Sequence, residues 1–157
     1  MQDLGIAAQL FGGPRAYHVA CTCTLAEGAV ADAALPGRLA AKELQDFARE
    51  FWSLTEQGAL AYRGGRYQEA VPLFEQSLKA DALPGRAVVN WAWLALAHHQ
   101  LGQPEEARRW LSKAQGWLDP YGDGMPARAD EELGLHLHNW LEAHVLRREA
   151  EALLSQY

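Results

Sequence analysis

Cysteine is nearly absent from this chain: Cys21 and Cys23 are the only two. Two positions apart on a helix they diverge by about 200°, which strains any disulfide between them. A disulfide-stapled scaffold is thereby excluded, and a reducing compartment suits the two thiols. Long apolar runs are missing as well. None approaches the roughly 20 residues that a membrane helix needs, and the N-terminus lacks a basic region followed by an apolar stretch. The expectation is a soluble, cytoplasmic protein with no membrane partner. Lys and Arg occur singly or in pairs, and the formal net charge is −6. Without a basic run, a nucleic acid partner is not expected.

What the chain does have is Ala and Leu, with few β-branched residues, so helix formers dominate almost every window. Its 157 residues suit one domain able to bury a core. Pro14, after Gly12 and Gly13, opens a helix over 14–26 that carries Ala16, Val19, Ala20 and Cys23 at helical spacing. A short helix over 1–11 through Leu4, Ala7, Ala8 and Phe11 has no strong cap. From Arg38 to Arg63 the stripe Leu44, Phe47, Phe51, Leu54 and Ala61 predicts either one long helix or two.

Gly64-Gly65 ends that stretch, and Tyr67 to Ala80 starts a new stripe through Ala70, Leu73, Phe74, Ser77 and Leu78. Pro84-Gly85 breaks the chain again before 86–101, where Val88, Trp91, Leu94, Ala95 and His98 recur at threes and fours. Gly102 closes that helix. Pro104 and the acids Glu105 and Glu106 open the next, with Ala107, Trp110, Leu111 and Ala114 inward. After the turn-rich stretch Asp119 to Pro126, a last helix is expected from Arg128 to Leu154. Its apolar stripe would be Leu133, Leu137, Trp140, Leu141, Val145 and Leu153, with a solvated face at Arg147, Arg148 and Glu149.

Residues 63–81 and 100–118 superpose with a constant offset of 37, Gly65 on Gly102, Glu69-Ala70 on Glu106-Ala107 and Phe74 on Leu111. A period in the thirties holding two helices and a Gly turn marks a solenoid repeat, whose hairpins complete one another's core. Leu54, Gly58, Gly65, Ala70 and Phe74, then Trp91, Leu94, Ala95, Gly102, Ala107, Leu111 and Ala114, resemble the tetratricopeptide (TPR) pattern. Ala61, Ser77 and Ala82 depart from it, as does a spacing above the usual length of roughly 34. The wider pattern, with ALAYRGGRYQEAVPLFEQSLKAD, WLALAHHQLGQPEEARRWLSKA and VLRREAEALL, is similar over 14–154 to the helical-repeat tails of large bacterial serine/threonine kinases. No Gly-rich phosphate loop, H-R-D or D-F-G motif accompanies it.

The resemblance implies an all-α, TPR-like α-solenoid of about three helical hairpins, with six to seven helices. It forms one domain over 1–157: a degenerate first hairpin over 1–50, repeats over 51–82 and 86–119, and a C-terminal capping helix over 128–154.

Catalytic and cofactor chemistry finds no footing. His18, Cys21 and Cys23 fall short of a zinc set and suit small packing roles, and neither His98-His99 nor His136-x-His138 converges on one point. The acidic pairs Glu105-Glu106 and Glu131-Glu132 read as helix starts or solvated faces. No catalytic, cofactor-binding or metal residue is assigned, and the chain is not expected to be an enzyme. Six tryptophans are many for this length. Trp91, Trp110 and Trp140 fit stripes, whereas Trp52, Trp93 and Trp117 fall off them and suit either gap filling or an interface.

In a TPR-like solenoid the first helix of each hairpin lines a concave groove. The candidate partner-binding residues are therefore Trp52, Thr55, Ala59, Tyr62, Arg63 and Arg66 from one hairpin, and Val89, Ala92, Leu96, His99 and Gln100 from the next. Their aromatic end, basic pair and apolar floor suit a protein or peptide segment with acidic and apolar residues. The competing reading is architectural self-association as a homodimer, with the N-terminal end as the docking surface.

Overall fold

The computed structural model describes residues 15–122, 124–126, 133 and 135–155. Among these are seven α-helices and no strand: α1 Arg15–Thr24, α2 Leu35–Asp46, α3 Phe51–Arg63, α4 Tyr67–Ala80, α5 Pro84–Gln100, α6 Pro104–Leu118 and α7 Leu137–Leu154. A single 3-10 turn, Asp119–Tyr121, follows α6. The expected helix over 1–11 lies outside the described residues. The stretch from 38 to 63 resolves into two helices, because the chain turns at 47–50 between α2 and α3.

Helices α3/α4 and α5/α6 are antiparallel hairpins closed by the same device 37 residues apart. Gly65 and Gly102 take φ of +76° and +70°, the left-handed region that glycine enters without penalty. Around them, Arg66 donates its backbone N–H to the Ala61 carbonyl at 2.9 Å, and Gln103 donates to that of His98 at 2.9 Å. These bonds satisfy the last carbonyls of α3 and α5 and aim the chain back along the hairpin.

The main core runs through both hairpins and into α7, with Tyr62, Phe74, Trp93, Leu94, Leu96, Leu118, Trp140 and Leu146 among its large members. Small residues let the helices approach: a methyl at Gly58 would stand 2.5 Å from the Phe74 ring. A smaller cluster of Ala20, Ala40 and Leu44, flanked by Tyr17, Trp52 and Leu60, packs α1 and α2 onto α3.

The C-terminal helix corrects the expectation for its apolar stripe. Among the described residues it runs from Leu137 to Leu154, and the expected start near Arg128 lies outside them. The Leu133 carbonyl accepts the Gly85 N–H at 3.0 Å, and Leu135 is fully buried beside the first turn of α5. An orphan donor of α5 is thereby satisfied by a backbone carbonyl from outside the helix. The stripe of α7 divides. Trp140, Ala143, Leu146 and Ala150 face the core, while Leu137, Leu141 and Val145 lie exposed on the other side. Nor is the Arg147–Glu149 stretch a free polar face, since Arg147 pairs with Asp119 and Glu151, and Glu149 reaches inward to Arg63.

Gly85 has no room for a side chain: a Cβ there would meet the Leu133 carbonyl oxygen at 2.5 Å and Leu135 Cβ at 2.6 Å. Gly85→Ala is expected to destabilise the fold by roughly 1–3 kcal/mol through overpacking. Urea unfolding checks this, and an unmoved midpoint would show that the Leu133 carbonyl and Leu135 are not held against Gly85.

Candidate functional site

The inner face of the stack is the side that α3 and α5, the first helices of the two hairpins, present together. Sequence places the candidate groove there. In the structure α1 packs along α3 and α7 along α5, so this face is roofed by both ends of the described chain. Ala59, Tyr62, Val89, Ala92 and Leu96 are buried in the main core that α7 completes. Thr55 lies within the α3–α4–α5 packing, its hydroxyl 2.8 Å from that of Ser77 and 3.1 Å from Asn90 Oδ1. Trp52 is half-buried, edge-on to Tyr17 with ring centroids 4.7 Å apart. Only Arg66 and Gln100 are exposed, and His99 is half-buried.

Arg63, expected to stand free in the groove, is the most heavily engaged side chain of this face, with only 8% of it exposed. Its Nη1 and Nη2 donate to the two carboxylate oxygens of Glu149 at 2.6 and 2.7 Å. Its Nε donates to the Thr24 carbonyl at 2.8 Å, and Nη2 also reaches the Leu25 carbonyl at 3.3 Å. The guanidinium lies 4.9 Å from the centroid of the Trp93 ring. One cation thus holds the C-terminal carbonyls of α1, where the helix dipole favours positive charge, and the carboxylate of α7. It was missed because its partner lies 86 residues away in sequence.

Beneath this tie lie two buried acids that sequence reasoning also passed over. Glu56 of α3 is 2% exposed, and its carboxyl meets Cys21 Sγ at 3.0 Å and Thr24 Oγ1 at 3.5 Å. Glu142 of α7 is 8% exposed and accepts a hydrogen bond from Trp93 Nε1 at 3.3 Å. With Tyr17, Cys21, Trp52, Arg86 and Asn139 they line a small crevice where α1, α3, α5 and α7 meet, Arg86 being paired with Asp81. The hydrogen-bond partners shown for the two carboxyls are neutral donors, and burying a charge that no cation bonds is costly. Burial therefore pushes Glu56 up to about 8, with the nearby Glu142 adding to the rise, and pushes Glu142 up to about 7. Burial likewise raises the Tyr17 phenol and the Cys21 thiol, so both stay neutral. A signal was present in the sequence: each acid is the only carboxylate in a mostly apolar stretch, LTEQGALA and NWLEAHVL.

His18, Cys21 and Cys23 do not gather, since Cys21 turns to Glu56 and His18 to the ring of His138, 6.3 Å away. Among the described residues, no group of three or more His, Cys, Asp or Glu side chains is arranged to hold a metal ion. No described helix is long and apolar enough to cross a membrane.

Folding keeps on Glu56 and Glu142 protons that the unfolded chain releases above an ordinary value of 4.5. Fewer protons on the unfolded chain mean that stability falls as pH rises. Their contribution is full below about 4.5 and is lost as pH climbs through about 7 and about 8. Melting temperatures across pH 5–9 should decline over that window in the wild type and flatten in Glu56→Gln and Glu142→Gln. An equal decline in both variants would assign the effect to other groups.

Against known proteins, the model of the tetratricopeptide repeat family matches residues 61–119. No curated protein and no solved structure matches the chain. The matched stretch runs from the end of α3 through α6 and contains both Gly65 and Gly102. Joined to the seven-helix architecture, this makes the fold an all-α, TPR-like helical repeat, of a kind that generally mediates protein–protein interaction or scaffolding and is typically not enzymatic.

Proposed function

We propose that the chain is a protein-interaction or scaffold module that works without a cofactor, offering stacked helices as a platform for a segment of another protein. The observation that supports this most directly is how the inner face treats α7. It grips that helix by an apolar seam through Trp140, Ala143, Leu146 and Ala150 and by one shielded ion pair to Arg63. A helix held by shape and a few placed polar contacts is the ordinary mode of helix recognition. The chain uses that mode on itself, and α7 thereby becomes part of the platform.

With α7 seated, Arg66 and Gln100 stand at the rim of the candidate groove. Arg66 pairs with Glu69 at 3.1 Å in an exposed contact, which is worth little and leaves the guanidinium available to an acidic partner. The similarity to kinase helical-repeat tails fits the same role, a docking platform beside a catalytic unit. Architectural self-association is the second reading, favoured by Leu35, Leu39 and Phe47 exposed on and after α2.

Light scattering over a wide concentration range separates these two. A monomer throughout is expected, while a dimer that persists on dilution would make the module architectural. Glu149→Gln should then lower capture of the natural partner by about tenfold or more, because loosening α7 deforms the platform. Capture untouched by that variant would remove α7 from the proposed surface.

A further inference from the structure

Helices α3 and α7 face each other through two rungs of polar side chains. Arg63 and Glu149 make the first, with Glu149 lying 86 residues beyond its partner. Glu56 and Glu142 each stand two helical turns before a member of that ion pair, on the same face of the same helix. They line one crevice, so the second rung keeps the register of the first. It differs in one respect: where α3 gives the first rung a cation, it gives the second an acid.

Every element around the second rung meets it without a free cation to bond it. From α1, Tyr17 and Cys21 face it as neutral groups, both held so chiefly by burial. Glu43 of α2 reaches α1 at the Tyr17 backbone N–H, 2.8 Å away. From α3 come the uncharged Trp52 and Thr55, while Arg63 is taken by Glu149. From α5, Trp93 donates its N–H to Glu142, and Arg86 on the crevice wall is paired with Asp81. On α7 itself, Asn139 is uncharged and His138 stacks with His136 and meets His18 edge-on. The crevice measures about 20 Å³, room for one water. Two carboxylates in so small a space can be neither hydrated nor kept apart, whereas two carboxylic acids are neutral and sit there hydrogen-bonded.

We propose that the Glu56–Glu142 rung is a pH-sensitive latch on α7: protonated, it lets α7 seat on the inner face, and as it ionises the crevice widens to admit water and α7 comes loose. The inference goes beyond the interaction-module reading and does not need it, since it concerns the hold on α7 and its test uses no partner. Both carboxyls keep their protons above the ordinary value of 4.5, so seating is firmest below that value. It weakens as pH rises through about 7 and about 8.

The test is native-state hydrogen exchange of the full chain from pH 5 to 8.5, read by mass spectrometry as protection factors corrected for the intrinsic effect of pH. Amides of α7 should open as a unit of their own, less protected than those of α6, and lose about tenfold or more of their protection across the range. The double variant Glu56→Gln with Glu142→Gln copies the protonated pair in shape and charge. It should hold α7 protection within about threefold over the same range. At pH 5, where the wild-type rung is neutral, the variant should melt with the wild type; if it does not, the wild-type profile alone decides. One shared protection level for α7 and α6 at every pH would make the opening global and overturn the latch. Wild-type α7 protection that ignores pH, or a fall equally steep in a folded double variant, overturns it too.

Discussion

The arrangement of this molecule depends on where one guanidinium can go. Arg63 ends α3 just before the Gly64-Gly65 turn, and its side chain runs inward to meet two carbonyls at the end of α1 and both oxygens of Glu149 on α7. A buried cation must have its donors taken, since an unpaired charge in that position would cost several kcal/mol, of order 3–5. Its surroundings satisfy that demand with a bidentate carboxylate, helix-end carbonyls and the Trp93 ring. Three elements distant in sequence are thus fixed relative to α3 by one side chain.

Trp93 shows the consequence. Phe74 of α4 stacks on its ring at 5.8 Å and Tyr62 of α3 stands 5.3 Å away, yet with the inner face open its N–H side would be bare and the ring would read as a binding aromatic. Here α7 covers that side, so the indole is fully buried and bonded through its N–H to Glu142. The cost of roofing the face this way is borne by two carboxyls confined where they prefer to be neutral. Hydrogen bonds from Cys21, Thr24 and Trp93 satisfy them without introducing charge.

The hairpins were legible because their signals are local. Gly65 and Gly102, with Pro104 at a helix start, declare themselves within a few residues. The closure of the inner face was not legible, because periodicity cannot say which of two apolar stripes on one helix turns inward. On α7, Leu137, Leu141 and Val145 look as core-like as Trp140, Ala143, Leu146 and Ala150, and only the docked orientation separates them. Arg63 beside two glycines reads as a solvated turn residue until its distant carboxylate is known. The residues of the candidate groove on α3 and α5 therefore lie largely within the core beneath α7.

That closure changes what kind of polymer this is. An open stack of repeats behaves nearly one-dimensionally, so its units can fray from either end and its stability accumulates neighbour by neighbour. Here the bond from Arg63 to Glu149 spans 86 residues, and the bond from Arg63 back to Thr24 spans 39. Neither α1 nor α7 can peel away without breaking a contact to α3, and α3 cannot loosen without releasing both. Such long-range closure makes unfolding more cooperative and places the seating of α7 late in folding, after the local hairpins have formed and the entropy of a large loop has been overcome.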